Sequence, residues 1–304
     1  EEQQCERVVH AAIDRGIDLF DTAPNYGAGR SERILGKALR GRSDVRVATK
    51  FKVDGKTPAE LRTMVEESLK RLQRDTIDLM QIHWPAPSAK ESLEAIEVLE
   101  GLQDEGLVRH LGVCNFGVFD LEETQQKQLV TNQIPHSLLW RVVEGDGGIA
   151  QMSRSLNRTT YAYSVLQQGL LTGRYRSLED FPEGRKRTRH FSSQWPGTRH
   201  DETGLEKETE STLSALFDVG RRFDRSMIEL ALAFTLSREG IDGLLLGART
   251  VEQLHRSCEA AETSLAAEEL RALEDATATL RRAVGENPDM YLSQSRIRYR
   301  NQRE

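Results

Sequence analysis

The chain has 304 residues, 38% hydrophobic and 30% charged, and its 42 basic against 48 acidic side chains leave a net charge of −6. That composition excludes disordered and collagen-like classes and gives no general attraction to nucleic acid or an anionic membrane. The longest apolar run, MIELALAFTL at 227–236, contains Glu229 and is too short to span a bilayer. Cys5, Cys114 and Cys258 lie far apart without metal-ligand spacing, so neither a disulfide scaffold nor a metal site is expected. With no leader-like opening, the expected location is the cytoplasm.

In chain order, an amphipathic helix comes first, with Cys5, Val8, Val9, Ala12 and Ile13 on one face. A buried strand is expected over 17–21, then a helix over 32–40 capped by Ser31. A strand at 45–50 precedes a helix at 58–72 opened by Pro58, and a strand at 77–83 precedes a helix at 91–105 stopped by Gly106. Further strands are expected at 110–115, 129–133, 159–164 and 241–246. Strands alternating with helices argue for parallel βαβ units, because parallel neighbours need a crossover.

Polar residues end successive apolar runs. Asp21, Lys50, His83 and Asn115 are separated by 29, 33 and 32 residues, and Gln133 and Tyr163 follow after 18 and 30. Each step is about one βα unit, so all six emerge at one end of the sheet. An open sheet would string them along an edge, whereas a barrel gathers them at its C-terminal face. The expected fold is therefore α/β, a (β/α)8 TIM-type barrel. A single barrel domain is expected over 1–284, with a C-terminal tail at 285–304.

Asp21, Tyr26, Lys50 and His83 form a set with a chemical logic. A free tyrosine, with a pKa of about 10, is a poor proton donor near neutrality. A buried lysine beside it favours the phenolate, a carboxylate keeps that lysine charged, and a histidine can orient a carbonyl oxygen or relay a proton. Such a group can protonate a carbonyl oxygen while a hydride, which no side chain supplies, reaches the carbon. Each residue alone has an ordinary role: a turn cap, a solvated lysine, a rim histidine, a packed loop tyrosine. Their joint placement after successive strands carries the argument.

The segments FDTAPNYGAGRSERILGKAL (20–39), VATKF (47–51), QIHWP (81–85), LGVCNF (111–116), YSVLQQGLLTGRY (163–175) and LGARTVEQL (246–254) resemble, in the same order, the aldo-keto reductase family. The resemblance runs to about residue 280. It implies a barrel binding NADPH or NADP+ without a Rossmann domain, NADH being the less favoured cofactor, and Asp21, Tyr26, Lys50 and His83 as catalytic tetrad with Tyr26 the general acid. It assigns Asn115 and Gln133 to the nicotinamide carboxamide and Tyr163 to the nicotinamide ring. Ser164, Leu166 and the GLLTG backbone from Gly169 would hold the pyrophosphate. Gly247, Arg249 and Gln253 fall in the adenosine segment, where Arg249, beside a helix opening at Thr250, suits a 2′-phosphate. By the same resemblance the helix at residue 5 is the family's first, so the first strand is expected to precede residue 1.

The chain also departs from the pattern. Cys114 replaces a serine, His136 an aromatic residue, Val165 with Gln167 and Gln168 a Pro- and Gly-containing turn, Leu246 a proline and Ser257 an asparagine. The basic stretch 176–203 lacks periodicity and reads as a solvated loop or as a cover for cofactor or substrate, with Trp195 as an apolar contact. The tail reads as a flexible end, or as a closure of the barrel mouth through Tyr291, Arg296 and Arg298. The expected activity is NADPH-dependent reduction of an aldehyde or ketone, with alcohol oxidation as its reverse. The alternatives are a nucleotide-binding regulatory subunit and a non-redox lyase or isomerase. The expected partner is a small carbonyl substrate.

Overall fold

The apolar runs form strands because burial on both faces suits parallel pairing. The computed structural model describes residues 1–145 and 148–293. The seven strands are β1 (Leu19–Asp21), β2 (Arg46–Phe51), β3 (Ile77–Ile82), β4 (Val108–Cys114), β5 (Leu129–Pro135), β6 (Thr159–Tyr163) and β7 (Gly243–Leu244). They follow one another in the sheet in chain order. Helices alternate with them: α1 (Glu2–Asp14), α2 (Arg30–Ala38), α3 (Pro58–Leu72), α4 (Ala89–Asp104), α5 (Val118–Glu123), α6 (Ile149–Ser155), α7 (Glu206–Phe223), α8 (Met227–Leu236), α9 (Val251–Ala261) and α10 (Ala267–Val284). This is the expected strand–helix ladder of a (β/α)8-type barrel.

Two compact units divide the chain. One comprises Glu1–Phe116, Asp120–Asn132 and Gly247–Arg256; the other comprises Gly117–Phe119, Gln133–Leu246 and Ser257–Glu304.

In the first unit β1 to β4 pair in parallel, and one row of facing residues runs Lys50, Gln81, Gly112. All six residues of β3 are buried. The helix α3 starts on a capping box, the Thr57 side chain accepting from the Glu60 N–H while Glu60 accepts from the Thr57 N–H, with Pro58 as its first residue. It packs closely on α2: a Cβ at Gly36 would lie within 3 Å of the Leu72 backbone. One expectation fails here, since α2 starts from Gly29 and not from Ser31. Gly27, Ala28 and Gly29 all take left-handed backbone, at φ 59°, 52° and 80°, which turns the chain into the helix early. The Ser31 hydroxyl instead accepts a hydrogen bond from Thr22 Oγ1 at 2.8 Å.

The second unit has its own core, in which Trp140, Leu171, Phe191, Leu216, Phe234 and Leu280 are buried together. The stretch 176–203 belongs to it. Phe181 stacks on Phe191 with ring centroids 5.7 Å apart, and Lys186 Nζ stands 3.9 Å over the Trp195 ring. Burying each phenylalanine contributes about 1.5–3 kcal/mol, which helps to fix a segment whose regular structure is one short 3-10 turn at Glu183–Arg185. Its basic run is accordingly not a solvated face: Lys186, Thr188, Arg189 and His190 are all buried.

The described part of the tail is packed too, with Asn287, Asp289, Met290 and Ser293 buried. Arg189 secures it. Its guanidinium donates to the carbonyls of Val284, Asn287 and Asp289, and its Nε donates to Glu202. The Trp140 Nε1 donates to the Pro288 carbonyl at 3.2 Å. Arg296 and Arg298 lie outside the described residues.

Candidate active site

The first unit carries Asp21, Tyr26, Lys50, His83 and Asn115, all at or just beyond strand ends, together with Gly247, Arg249 and Gln253. The second carries Gln133, Tyr163, Ser164, Leu166 and Gly169.

Lys50 is the centre of the first group and is only 2% exposed. Its ammonium pairs with the Asp21 carboxylate and donates to the Thr22 carbonyl at 2.9 Å. Burial alone pushes the Lys50 pKa down. The opposing pull of Asp21 first, then of Tyr26 and Cys114, prevails and leaves it raised. Lys50 Nζ lies 5.4 Å from the centroid of the Tyr26 ring, and the Tyr26 and His83 rings meet edge to face at 6.2 Å. Tyr26 is 42% exposed, so its hydroxyl end can meet a ligand while Lys50 stays buried behind it.

The loop holding Tyr26 is built from its own backbone. The Tyr26 N–H donates to Ala23 at 3.0 Å, and its carbonyl accepts from the Ser31 N–H. His83 follows β3, where its N–H donates to the Phe51 carbonyl at 2.8 Å. Asn115 follows β4 in left-handed backbone, φ 64°, and its Nδ2 donates to the His83 carbonyl at 3.0 Å. Asparagine tolerates that conformation better than most residues.

Sequence reasoning overlooked Gln81. Its Nε2 donates to Asp21 Oδ1 at 3.3 Å, and its Oε1 accepts from Thr131 Oγ1 at 3.3 Å. Thr131 reaches it because Gly112 has no side chain: a Cβ there would collide with Thr131 Oγ1. The period of two along a strand puts Gln81 and His83 on one face, which was the available signal.

At the start of α9 the Thr250 hydroxyl caps the helix by accepting from the Gln253 N–H, while Gln253 Oε1 accepts from the Arg249 N–H at 2.9 Å. Gln253 therefore shapes this turn. The Arg249 side chain is exposed and makes no ion pair among the described residues. In the second unit, Tyr163 ends β6 and leads into a loop with left-handed backbone at Ser164, Gln167, Gln168 and Gly169.

The donor types within the first unit fit the parts of a nicotinamide dinucleotide. An exposed guanidinium at a helix start suits phosphate, and side-chain amides suit a carboxamide. The buried ammonium behind a tyrosine suits proton transfer. Among the described residues no cluster of His, Cys, Asp and Glu could hold a metal ion, and no helix is long and apolar enough to cross a membrane.

A family model described as the Aldo/keto reductase family matches residues 1–278. The chain belongs to the aldo/keto reductase family. It is 35% identical over 271 residues to the aldo-keto reductase YhdN of Bacillus subtilis, covering 84% of this chain and 77% of that one. It is 29% identical over 311 residues to the NADH-specific methylglyoxal reductase of Escherichia coli, covering 93% and 88%. Among solved structures, a glycerol dehydrogenase from Gluconobacter oxydans aligns with a TM-score of 0.76 at 30% identity, covering 94% of this chain and 88% of that one. An aldo-keto reductase from Klebsiella pneumoniae in complex with NADPH aligns with a TM-score of 0.68 at 26% identity, covering 90% and 84%. The strand–helix ladder is thus that of an aldo-keto reductase barrel, and the family is one of oxidoreductases.

Proposed function

We propose that the chain reduces an aldehyde or ketone to an alcohol with NADPH, the proton coming from Tyr26. The observation that carries this reading is the buried Lys50–Asp21 pair behind the accessible Tyr26. When bound, the nicotinamide supplies a hydride to the carbonyl carbon. Tyr26 then gives its hydroxyl proton to the carbonyl oxygen, which becomes the alcohol. Lys50 stabilises the resulting phenolate by its charge, and Asp21 keeps Lys50 protonated within its buried setting. His83 borders Tyr26 and is placed to orient the carbonyl oxygen. Asn115 and Gln133 hold the carboxamide, Tyr163 packs on the nicotinamide, and Ser164, Leu166 and Gly169 take the pyrophosphate. Gly247 and Arg249 serve the adenosine end, where Arg249 favours NADPH by engaging its 2′-phosphate and Gln253 braces the turn.

A carbonyl panel followed by NADPH absorbance tests the activity. Tyr26→Phe should lower reduction about 10²–10⁴-fold while leaving NADPH affinity within about twofold. Unchanged turnover in that variant rejects Tyr26 as the acid. Nucleotide binding without turnover on any carbonyl would favour a regulatory role, and product formation without net NADPH loss a lyase or isomerase.

A further inference from the structure

The loop after β6 is an unusual piece of backbone. Ser164, Gln167 and Gln168 have φ values of 58°, 44° and 53°, and Gly169 follows at 108°. A left-handed conformation costs a non-glycine residue about 1–2 kcal/mol, so three in six residues persist only if the surroundings impose them. Some restraint comes from neighbours in the second unit. The Ser137 hydroxyl donates to Gln167 Oε1 at 3.1 Å, and Arg185 Nη1 donates to the Gln168 carbonyl at 3.2 Å.

A further restraint comes from the tail. The Tyr291 hydroxyl accepts from Gln168 Nε2 at 3.3 Å. The phenol is thereby tied to the last non-glycine left-handed residue of the loop. Tyr291 is itself fixed: its N–H donates to Asp289 Oδ1 at 2.9 Å, and the preceding Met290 carbonyl accepts from the Arg189 N–H at 2.8 Å. The Arg199 guanidinium lies 5.5 Å from the centroid of its ring.

We propose that Tyr291 is a positioning residue for the cofactor, its hydroxyl holding Gln168 so that the 164–169 backbone keeps the shape that takes the pyrophosphate. This role rests on the nucleotide assignment of that loop under Proposed function. Tyr291 touches the loop and acts on the cofactor only through it.

The test is Tyr291→Phe, which removes the hydroxyl and keeps the ring. Amide hydrogen exchange in the nucleotide-free protein should quicken across 164–172 by about three- to tenfold, the equivalent of one lost hydrogen bond. Fluorescence titration should show NADPH affinity weakened by a similar factor, with kcat at saturating NADPH unchanged. Calorimetry with 2′-AMP, which lacks the pyrophosphate, should give a Kd within about twofold of wild type. Unchanged exchange and NADPH affinity overturn the role, as does equal weakening of NADPH and 2′-AMP, the mark of general loosening. A wild-type protein that binds neither nucleotide overturns the cofactor reading and this role with it. Wild-type binding of both, with an indifferent Tyr291→Phe, overturns this role alone.

Discussion

Asp21 and Lys50 carry opposite charges in a space with little water, so each depends on the other. Removing one partner of a buried pair costs about 3–5 kcal/mol because the survivor is left uncompensated. In the wild type the raised Lys50 pKa adds stability that is complete below its unfolded value of about 10.4 and is lost only as the pH climbs through the folded one. In Asp21→Asn burial dominates and Lys50 is depressed instead, so the folded state binds that proton less readily than the unfolded chain. The destabilisation caused by Asp21→Asn should therefore shrink between about pH 7 and 10, read from guanidinium midpoints of both proteins. A gap that stays constant or widens would show that Lys50 does not carry the effect. At the nucleotide end, Arg249→Ala should weaken NADPH by about ten- to hundredfold while moving NADH little, since a charge-assisted bond contributes about 1.5–3 kcal/mol. Equal losses for both would reject a 2′-phosphate contact. Asp21, Lys50 and His83 were legible because each interrupts or follows an apolar run at a regular interval, whereas Tyr26 lies in a loop and was singled out only by its chemistry beside them and by the family resemblance. Gln81 was concealed inside such a run, and although Tyr291 stood out in the basic tail, its partner Gln168 lies more than a hundred residues away and could not be read from it.

Among the elements, the contrast between two helical glycines is the sharpest. Gly36 on α2 sits where a Cβ would run into the Leu72 backbone, whereas Gly101 on α4 has open space around it. Gly36→Ala should destabilise by about 1–3 kcal/mol or more through overpacking. Gly101→Ala should stabilise by up to about 1 kcal/mol through helix propensity. Thermal melting of both variants checks the pair, and similar shifts in one direction would refute the close approach of α2 to α3. All seven strands and the helices α3 and α4 were legible from periodicity and capping residues. The stretch 176–203 was not, for two physical reasons. Its apolar anchors, Phe181 and Phe191, are isolated in sequence, and its buried Arg189 is satisfied largely by backbone carbonyls that no side-chain pattern reveals.

For the whole molecule, acid is the expected weakness. His190 is fully buried, and burial foremost depresses its pKa to about 4, outweighing the hydrogen bond to the Leu139 carbonyl. Glu144 is held at about 2; burial opposes this, but hydrogen bonds with His136 and Arg141 prevail. Both groups bind fewer protons folded than unfolded, so stability falls with pH, through about 6.5 to 4 for His190 and about 4.5 to 2 for Glu144. His190 alone accounts for about 3 kcal/mol of that loss. His190→Gln should flatten the dependence between about pH 6.5 and 4, whatever its stability at neutral pH, and an unaltered slope in denaturant midpoints would exclude His190 as its source.

The anchoring of the tail through Arg189 and Trp140 has a consequence for descent. Both side chains grip carbonyl oxygens, which every residue possesses, so these bonds place no demand on the identities of residues 284, 287, 288 and 289. The match to the family ends at residue 278, just ahead of this segment. Mutation can rewrite residues 284 and 288 on that account, whereas Asn287 and Asp289 also bond the local main chain through their own buried side chains and are held to type. Relatives sharing the arginine, the tryptophan and these two polar residues are therefore expected to keep the same C-terminal path even where the other letters of the segment differ.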